Sequence, residues 1–348
     1  MQSQTDNLSL PVKALINKLN KKIKFIYIFN LIACVLIITF SLITIFVNHL
    51  LGLGLGILIS LPVDIYLGIF LEVKECRRKI KALKEIESFA DERDYKILEN
   101  DKYTFFVLGR IMGGKCELFL TDHERLIICF TCNPYPVWIW TPDDASEEEM
   151  ERAYQLAFEA SLLDGKHRFN LKYNLAEYFI KRAVEDEINL SISLNMYAYD
   201  CNELIKPTAI ADGVIHHCVS DDIDELIEFL DLFHKETGVD KKDIDSYRPE
   251  AEEYINSGNM YFWKDGHGNN VASCKFEPNG DTASVNLVFT RPEFRRKHYA
   301  ENLVYEVTKI IMDAGYIPML YTDADYTASN ACYEKLGYVL KGKLCTIS

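Results

Sequence analysis

Residues 286–315, NLVFTRPEFRRKHYAENLVYEVTKIIMDAG, run into residues 316–338, YIPMLYTDADYTASNACYEKLGY, and the reading of this stretch decides the fold. Leu287 to Thr290 is a short β-prone run that Pro292 stops, and a tight basic turn follows at once. Beyond it Tyr299, Ala300, Leu303, Val304, Val307, Ile310, Ile311 and Ala314 recur at three- and four-residue spacing, which marks one apolar helical face, and Gly315 caps that helix. A second strand and a short helix ending at Gly337 follow, so the order is strand, turn, helix, strand, helix. Such a turn leaves the first N–H groups of the helix without partners, and the helix dipole favours an anion beside them. Arg295, Arg296, Lys297 and His298 add positive charge there, which suits a pyrophosphate; the plainer alternative is a basic turn on an acidic protein.

Upstream, NMYFWK, NNVASCKFE and TASVNLVFT read as three strands joined by the hairpin signals DGHGN and EPNGD. GVIHHCV is another strand, and Asp221 or Asp222 caps a helix whose apolar face is Ile223, Leu226, Ile227, Leu230 and Phe233. A further helix covers 244–256. Between residues 99 and 204 lie the strands ELFL, RLIICFT and PVWIW, a helix over 146–163 with Ser146 and Glu149 as a capping box, a helix over 173–186, and the alternating strand INLSISLNMYAY.

The first 24 residues are polar and lysine-bearing. Residues 25–47 then carry no charge and are long enough to cross a hydrocarbon core, and 50–71 form a second apolar run containing Asp64. The expected arrangement is a transmembrane hairpin over 25–72, with Gly52 and Gly56 at a close helix contact and Asp64 near the interface. Lysines precede the first span, and Lys74, Arg77, Arg78, Lys79, Lys81 and Lys84 follow the second. By the positive-inside rule both termini and everything after residue 72 are cytoplasmic, which places the chain in the cell membrane as a multi-pass protein. Residues 73–98 read as a charged helical linker with Ile80, Leu83 and Ile86 on one side, a spacer or a dimer contact.

Composition sets the remaining bounds. The chain has 348 residues, 49% of them hydrophobic, which allows two cores and an appendage. A formal charge of −14 argues against nucleic acid as a partner and is compatible with a cationic amine. Ten cysteines lie without framework spacing, so reduced thiols are expected. Cys129 and Cys132 form one CxxC, but Cys116 and His123 do not complete a zinc set by spacing, and no metal is expected. His216, His217 and Cys218 look like parts of one strand, on alternate faces.

The succession VFTRPEFRRKHYA, helix, LYTDAD and SNACYEKLGY resembles the coenzyme A-binding half of the GNAT N-acetyltransferases, whose loop reads R-x-x-G-x-G/A. Arg295 and Ala300 match the ends of that loop, while His298 stands where the family has glycine. The resemblance implies that the backbone of Val288, Phe289 and Thr290 pairs with a pantetheine arm. Arg295, Arg296, Lys297, His298, Tyr299 and Ala300 would hold the pyrophosphate, Asn330 would contact the coenzyme, and Tyr333 would be the general acid. A core aromatic beside Leu336 and Tyr338 is the alternative reading of Tyr333. Glu277 is a candidate base, with a solvated turn residue as the stronger alternative.

Residues 99–204 resemble the degenerate first unit of two-part bacterial GNAT proteins; they contain no R-x-x-G-x-G/A loop and are assigned no chemistry. The expected fold is therefore a mixed α/β sheet in tandem GNAT-like units, 99–204 and 205–348, after the hairpin. The resemblance further implies acetyl-CoA as co-substrate and an amine acceptor of unknown identity. The lipid bilayer is the expected partner of residues 25–72, and a homodimer stays open. The competing readings are a coenzyme-binding regulatory module without turnover and a structural membrane protein that keeps only the fold.

Overall fold

The structure is a computed structural model and describes residues 8–48, 51–238 and 241–348; the side chains at 44, 45 and 47–67 lie outside that description. The expectations for Asp64 and for the Gly52–Gly56 contact fall there. Eleven strands form one sheet: β1 (Leu118–Thr121), β2 (Ile127–Phe130), β3 (Val137–Trp140), β4 (Phe169–Leu171), β5 (Ile192–Asp200), β6 (Val214–His217), β7 (Met260–Lys264), β8 (Asn270–Asn279), β9 (Thr282–Thr290), β10 (Ile317–Asp323) and β11 (Val339–Ile347). The helices are α1 (Leu10–Asn48), α2 (Leu51–Lys84), α3 (Glu92–Leu98), α4 (Phe106–Ile111), α5 (Glu147–Glu159), α6 (Tyr173–Glu185), α7 (Ile223–Thr237), α8 (Arg248–Asn256), α9 (Tyr299–Asp313) and α10 (Thr327–Lys335).

The spatial order of the sheet is β1-β2-β3-β4-β11-β5-β10-β9-β8-β7-β6. Its neighbours pair antiparallel except β3 with β4 and β9 with β10, which pair parallel through crossovers carrying α5 and α9. The succession β1-β2-β3-α5-β4-α6-β5 thus repeats as β7-β8-β9-α9-β10-α10-β11. The two repeats exchange their last strands. β5 lies between β11 and β10, with Tyr199 opposite both Leu320 and Leu340, and β11 lies between β4 and β5. No edge is left between the halves, because each would otherwise end in unpaired N–H and C=O groups. The join is tight: Gly337 has φ +95° and a Cβ there would stand 2.1 Å from the Glu203 carbonyl oxygen, so only glycine fits.

Alternation along the strands divides the cores between two faces. One face holds Leu120, Ile128, Val137 and Ile139 under α5 and α6, and Val271, Cys274, Val285 and Leu320 under α9 and α10. The other holds Trp138, Trp140, Met196 and Leu344 under α3 and α4, and Phe262 and Phe289 under α7 and α8.

The first residues of the chain differ from the expected tail. α1 starts at Leu10, and Val12, Leu15 and Ile16 are buried in the core beneath α5. Leu83 and Ile86 join the same core, so the apolar side of the 73–98 segment packs on its own chain. These residues are apolar at helical spacing, and a nearby uncovered core face is the surface they remove from water. Farther along α1 the environment changes: Phe25, Phe29, Leu31, Ile32, Leu36, Phe40 and Phe46 are all exposed. Among the described residues, the stretch from Leu10 to Ile43 is long and apolar enough to cross a membrane, by length and composition alone.

Candidate functional site

The parallel contact of β9 with β10 is confined to Thr282–Ser284 against Ile317–Met319. Past it the strands part. The cause is local: the register of β8 against β9 shifts between Ser273 and Lys275, and Leu287 takes φ +52°, a bulge that bends β9 away. β10 remains paired on its other side with β5 as far as Asp323. A wedge therefore opens between the end of β9 and the end of β10. Arg291 N–H donates to the Val271 carbonyl, and by alternation Phe289 also spends its main chain on β8 while Thr290 turns outward. The Phe289 ring is buried under α7, and Val288 packs on the opposite core.

At the open end of the wedge a 3₁₀ turn over Pro292–Phe294 leads into residues 295–298 and then α9. Arg296 and His298 both have left-handed backbone, with φ +62° and +64°. His298 thus adopts the conformation that glycine favours, and its Cβ costs about 1 kcal/mol there. Among the described residues, no acceptor within the chain takes the N–H groups of Arg296, Lys297, His298, Tyr299 or Ala300. The turn is braced from below: Asn302 donates to the carbonyls of His298 (2.9 Å) and Ala209 (3.0 Å), and the Tyr299 hydroxyl donates to Asp212 at 2.7 Å. That bond pushes the Tyr299 phenol up to about 12.

The loop's charges are partly answered by acids that the sequence did not place there. Arg295 pairs with Glu236 and donates to the Thr290 carbonyl at 3.1 Å. Arg291 reaches Glu225 at 3.3 Å and Glu228 at 3.2 Å. His298 Nδ1 is 2.9 Å from Glu301, a carboxylate in the first turn of α9. Arg296 and Lys297 are exposed, with the Lys297 ammonium 5.1 Å from the Phe294 ring.

We expect His298→Gly to bind acetyl-CoA as tightly as the parent or up to about fivefold more tightly, since the turn loses backbone strain and a side chain that limits close approach of the phosphates. Calorimetric titration measures this; binding weakened beyond that range would show that the imidazole itself holds the ligand.

On the far side of the wedge Asn330 is buried. Its Nδ2 donates to the carbonyls of Asp323 (3.2 Å) and Ala324 (3.0 Å), fixing the end of β10, while its Oδ1 is buried without a partner. A buried acceptor left alone is costly, so this atom marks a place where a ligand N–H fits. Tyr333, one turn along α10, is buried with its ring 5.7 Å from that of Tyr338. Burial pushes its phenol well up, only partly offset by a hydrogen bond with Ser329, so it keeps its proton.

The structure adds residues that sequence reasoning missed. α4 of the first half lies over β10, with the Phe106 ring stacked 4.2 Å from Tyr321 and the Tyr321 hydroxyl donating to the Thr104 carbonyl at 2.6 Å. Arg110 from the same helix holds Glu277 at 2.5 Å. Glu277 is thereby an ion-pair partner at the closed end of the wedge, opposite Ser284, rather than a free base. Lys275, two residues away, is buried with its ammonium 3.6 Å from the Tyr254 ring, and burial lowers its pKa. The contacts of α4 and Thr104 with Tyr321 and Glu277 span more than 150 residues of sequence, and no local motif announces them.

The corresponding strand ends of the first half, those of β3 and β4, are bridged by an ion-pair cluster. Lys172, just after β4, reaches Asp143, just after β3, and Asp101 at 2.6 Å each. Glu147, Glu148 and Glu149 fill the first turn of α5, which repels an anion. Elsewhere, His216 pairs with Asp222 and His217 with the Gly258 carbonyl, both at 2.8 Å, and Cys129 faces Cys116 at 3.4 Å.

A mixed sheet parted between two parallel strands, with a turn and helix N-terminus at the opening, is the GNAT-type acyltransferase fold, and this protein has it. Within that class, the family model described as FR47-like protein matches residues 268–346. A GCN5-related N-acetyltransferase from Sphaerobacter thermophilus is similar in structure, with a TM-score of 0.56, 10% identity, and coverage of 76% of this chain and 95% of that one. A Drosophila protein of known structure has a TM-score of 0.51 at 10% identity, covering 75% of this chain and 97% of its own. Three quarters of the chain is more than either half supplies, so the likeness of fold extends across the exchanged strands. No curated protein sequence matches the chain at a significant level.

Proposed function

We propose that the protein is a membrane-anchored N-acyltransferase that moves an acetyl group from acetyl-CoA to an amine. The observation that carries this reading is the open wedge, with five unclaimed N–H groups at one end and the orphaned Asn330 Oδ1 along its side. Those groups fit the coenzyme, which supplies an activated thioester. The N–H groups of 296–300, with Arg296 and Lys297, would face phosphates. Thr290 and Val288 would offer main-chain groups to the arm, and Asn330 Oδ1 would accept from an amide N–H. Tyr333 would hold a proton beside the leaving sulfur. Glu277 is tied to Arg110, so the acceptor amine would lose its proton to water rather than to that carboxylate. The exposed apolar length of α1 supports anchorage in a bilayer, and the flanking lysines support a cytoplasmic sheet.

A specific observation favours a second reading, a coenzyme-binding module without turnover. Glu301 sits in the first turn of α9 and Glu236 holds Arg295, both of which weaken the attraction for a pyrophosphate. Calorimetric titration of acetyl-CoA into the full chain in detergent, followed by a thiol-release assay over a panel of amines, separates the readings. Saturable binding with amine-dependent thiol release supports the enzyme. Binding without release under any amine supports the module, and no binding at millimolar coenzyme by folded protein removes both.

A further inference from the structure

We propose that Asp91, Asp94 and His123 form a binding site for a divalent transition-metal cation of the zinc type at the joint between α2 and the sheet. This site is separate from the acyltransfer wedge and does not depend on its chemistry. The carboxylate oxygens of Asp91 and Asp94 and the Nδ1 of His123 lie within 4.8 Å of one another. His123 Nδ1 is 2.9 Å from Asp94 Oδ2 and 3.6 Å from Asp91 Oδ1. Those separations bracket the roughly 3.3 Å expected between donor atoms held tetrahedrally at bonds of about 2.0–2.1 Å.

The contacts of His123 call for positive charge among the carboxylates, either a proton on the ring or a metal ion. His123 Nε2 faces Glu87 at 2.9 Å, so both ring nitrogens look at carboxylate oxygens. A neutral imidazole has one donor and one acceptor nitrogen. With the proton on Nε2, bonded to Glu87, the lone pair of Nδ1 meets the lone pairs of Asp94 unless something positive lies between them. A proton there would satisfy Asp94, whereas a metal ion would also engage Asp91 Oδ1, which now lies 3.6 Å from the ring and accepts from the Arg93 main-chain N–H at 2.8 Å and its Nε at 3.1 Å.

The surroundings fit the same reading. Glu87 on Nε2 is the arrangement that fixes a ligating histidine's tautomer and orientation. Thr121 Oγ1 donates to the other Asp94 oxygen at 2.6 Å, and Arg93 holds Asp91 from outside at 2.7 Å. Asp94 and His123 are buried, and the Phe89 ring lies 5.6 Å from the imidazole. A mixed nitrogen and oxygen set with a buried imidazole selects zinc, cobalt or nickel over magnesium or calcium. The ligands come from the α2–α3 connection, from α3 and from the β1–β2 turn. Beside them, Glu87 and Thr121 exchange main-chain bonds at 2.7 and 3.0 Å. A bound ion would thus pin the apolar helices to the sheet.

The test uses the full chain in detergent, without a polyhistidine tag, stripped with chelator and titrated calorimetrically with zinc chloride. One equivalent is expected to bind. Asp91→Asn, which keeps a good helix cap, and His123→Gln are each expected to weaken binding at least tenfold, and Glu87→Gln about tenfold through the imidazole. Circular dichroism melts confirm that each variant is folded. No binding at 100-fold molar excess of zinc by the folded parent, or binding unaltered in both Asp91→Asn and His123→Gln, would overturn the proposal and leave His123 as a protonated bridge between carboxylates.

Discussion

Tyr333→Phe is expected to lower acetyl transfer about 100-fold, close to 2.7 kcal/mol in the barrier, while acetyl-CoA affinity changes less than about twofold. The substitution keeps the ring that packs on Tyr338 and removes only the hydroxyl. That hydroxyl is buried, keeps its proton throughout the physiological range, and lies on the helix that also carries the orphaned Asn330. Its contribution belongs to the departure of a thiolate, where negative charge develops, and not to holding the coenzyme. The loss should therefore appear in turnover with little change in binding. Steady-state thiol release and calorimetry on the same preparation measure the two quantities. Unchanged turnover would return Tyr333 to the role of a core aromatic.

Residues 205–348 produced alone are expected to show no cooperative unfolding transition, although they contain the whole loop, wedge and Tyr333. β5 ends at Asp200, before that boundary, and fills the space between β10 and β11. Without it both strands become edges separated by a missing strand, and Leu320, Leu336 and Tyr338 lose their packing with Tyr199 and Cys201. Removing a buried central strand forfeits more than the roughly 5–15 kcal/mol that a domain has in hand. Thermal melts followed by circular dichroism, with the full chain as reference, provide the check. A sharp transition in the isolated segment would mean that the exchanged strand is dispensable.

The residues that make the wedge were legible because their signals are local. Apolar spacing in 299–314, Pro292, Gly315 and the hairpin turns define elements from a few neighbouring residues each, and the structure places α9, β8 and β9 where those signals put them. Asn330 and Tyr333 were singled out by the resemblance of SNACYEKLGY to the GNAT pattern, and both are buried on α10. Glu277 was harder to read. Its partner Arg110 lies on a helix with no motif, and a strand-end carboxylate looks alike in sequence whether free or paired. The early part of α1 misled for a related reason: lysines at 13, 18, 21 and 22 read as a solvated tail, while Val12, Leu15 and Ile16 between them face a core.

The sequence by itself determined most of the elements from residue 117 onward, though not β4 or β11, together with the basic turn with its histidine in a glycine's place and the apolar length of the first helix. These follow from short-range rules of backbone sterics and side-chain period. Tertiary structure alone decided that the halves trade their last strands, that acids cancel part of the loop's charge, that α4 walls the wedge, and that His123 meets Asp91 and Asp94. Each of these is a contact between residues far apart in the chain. Such contacts are set by which unpaired edge and which uncovered apolar face can be satisfied together, a condition that no local pattern encodes.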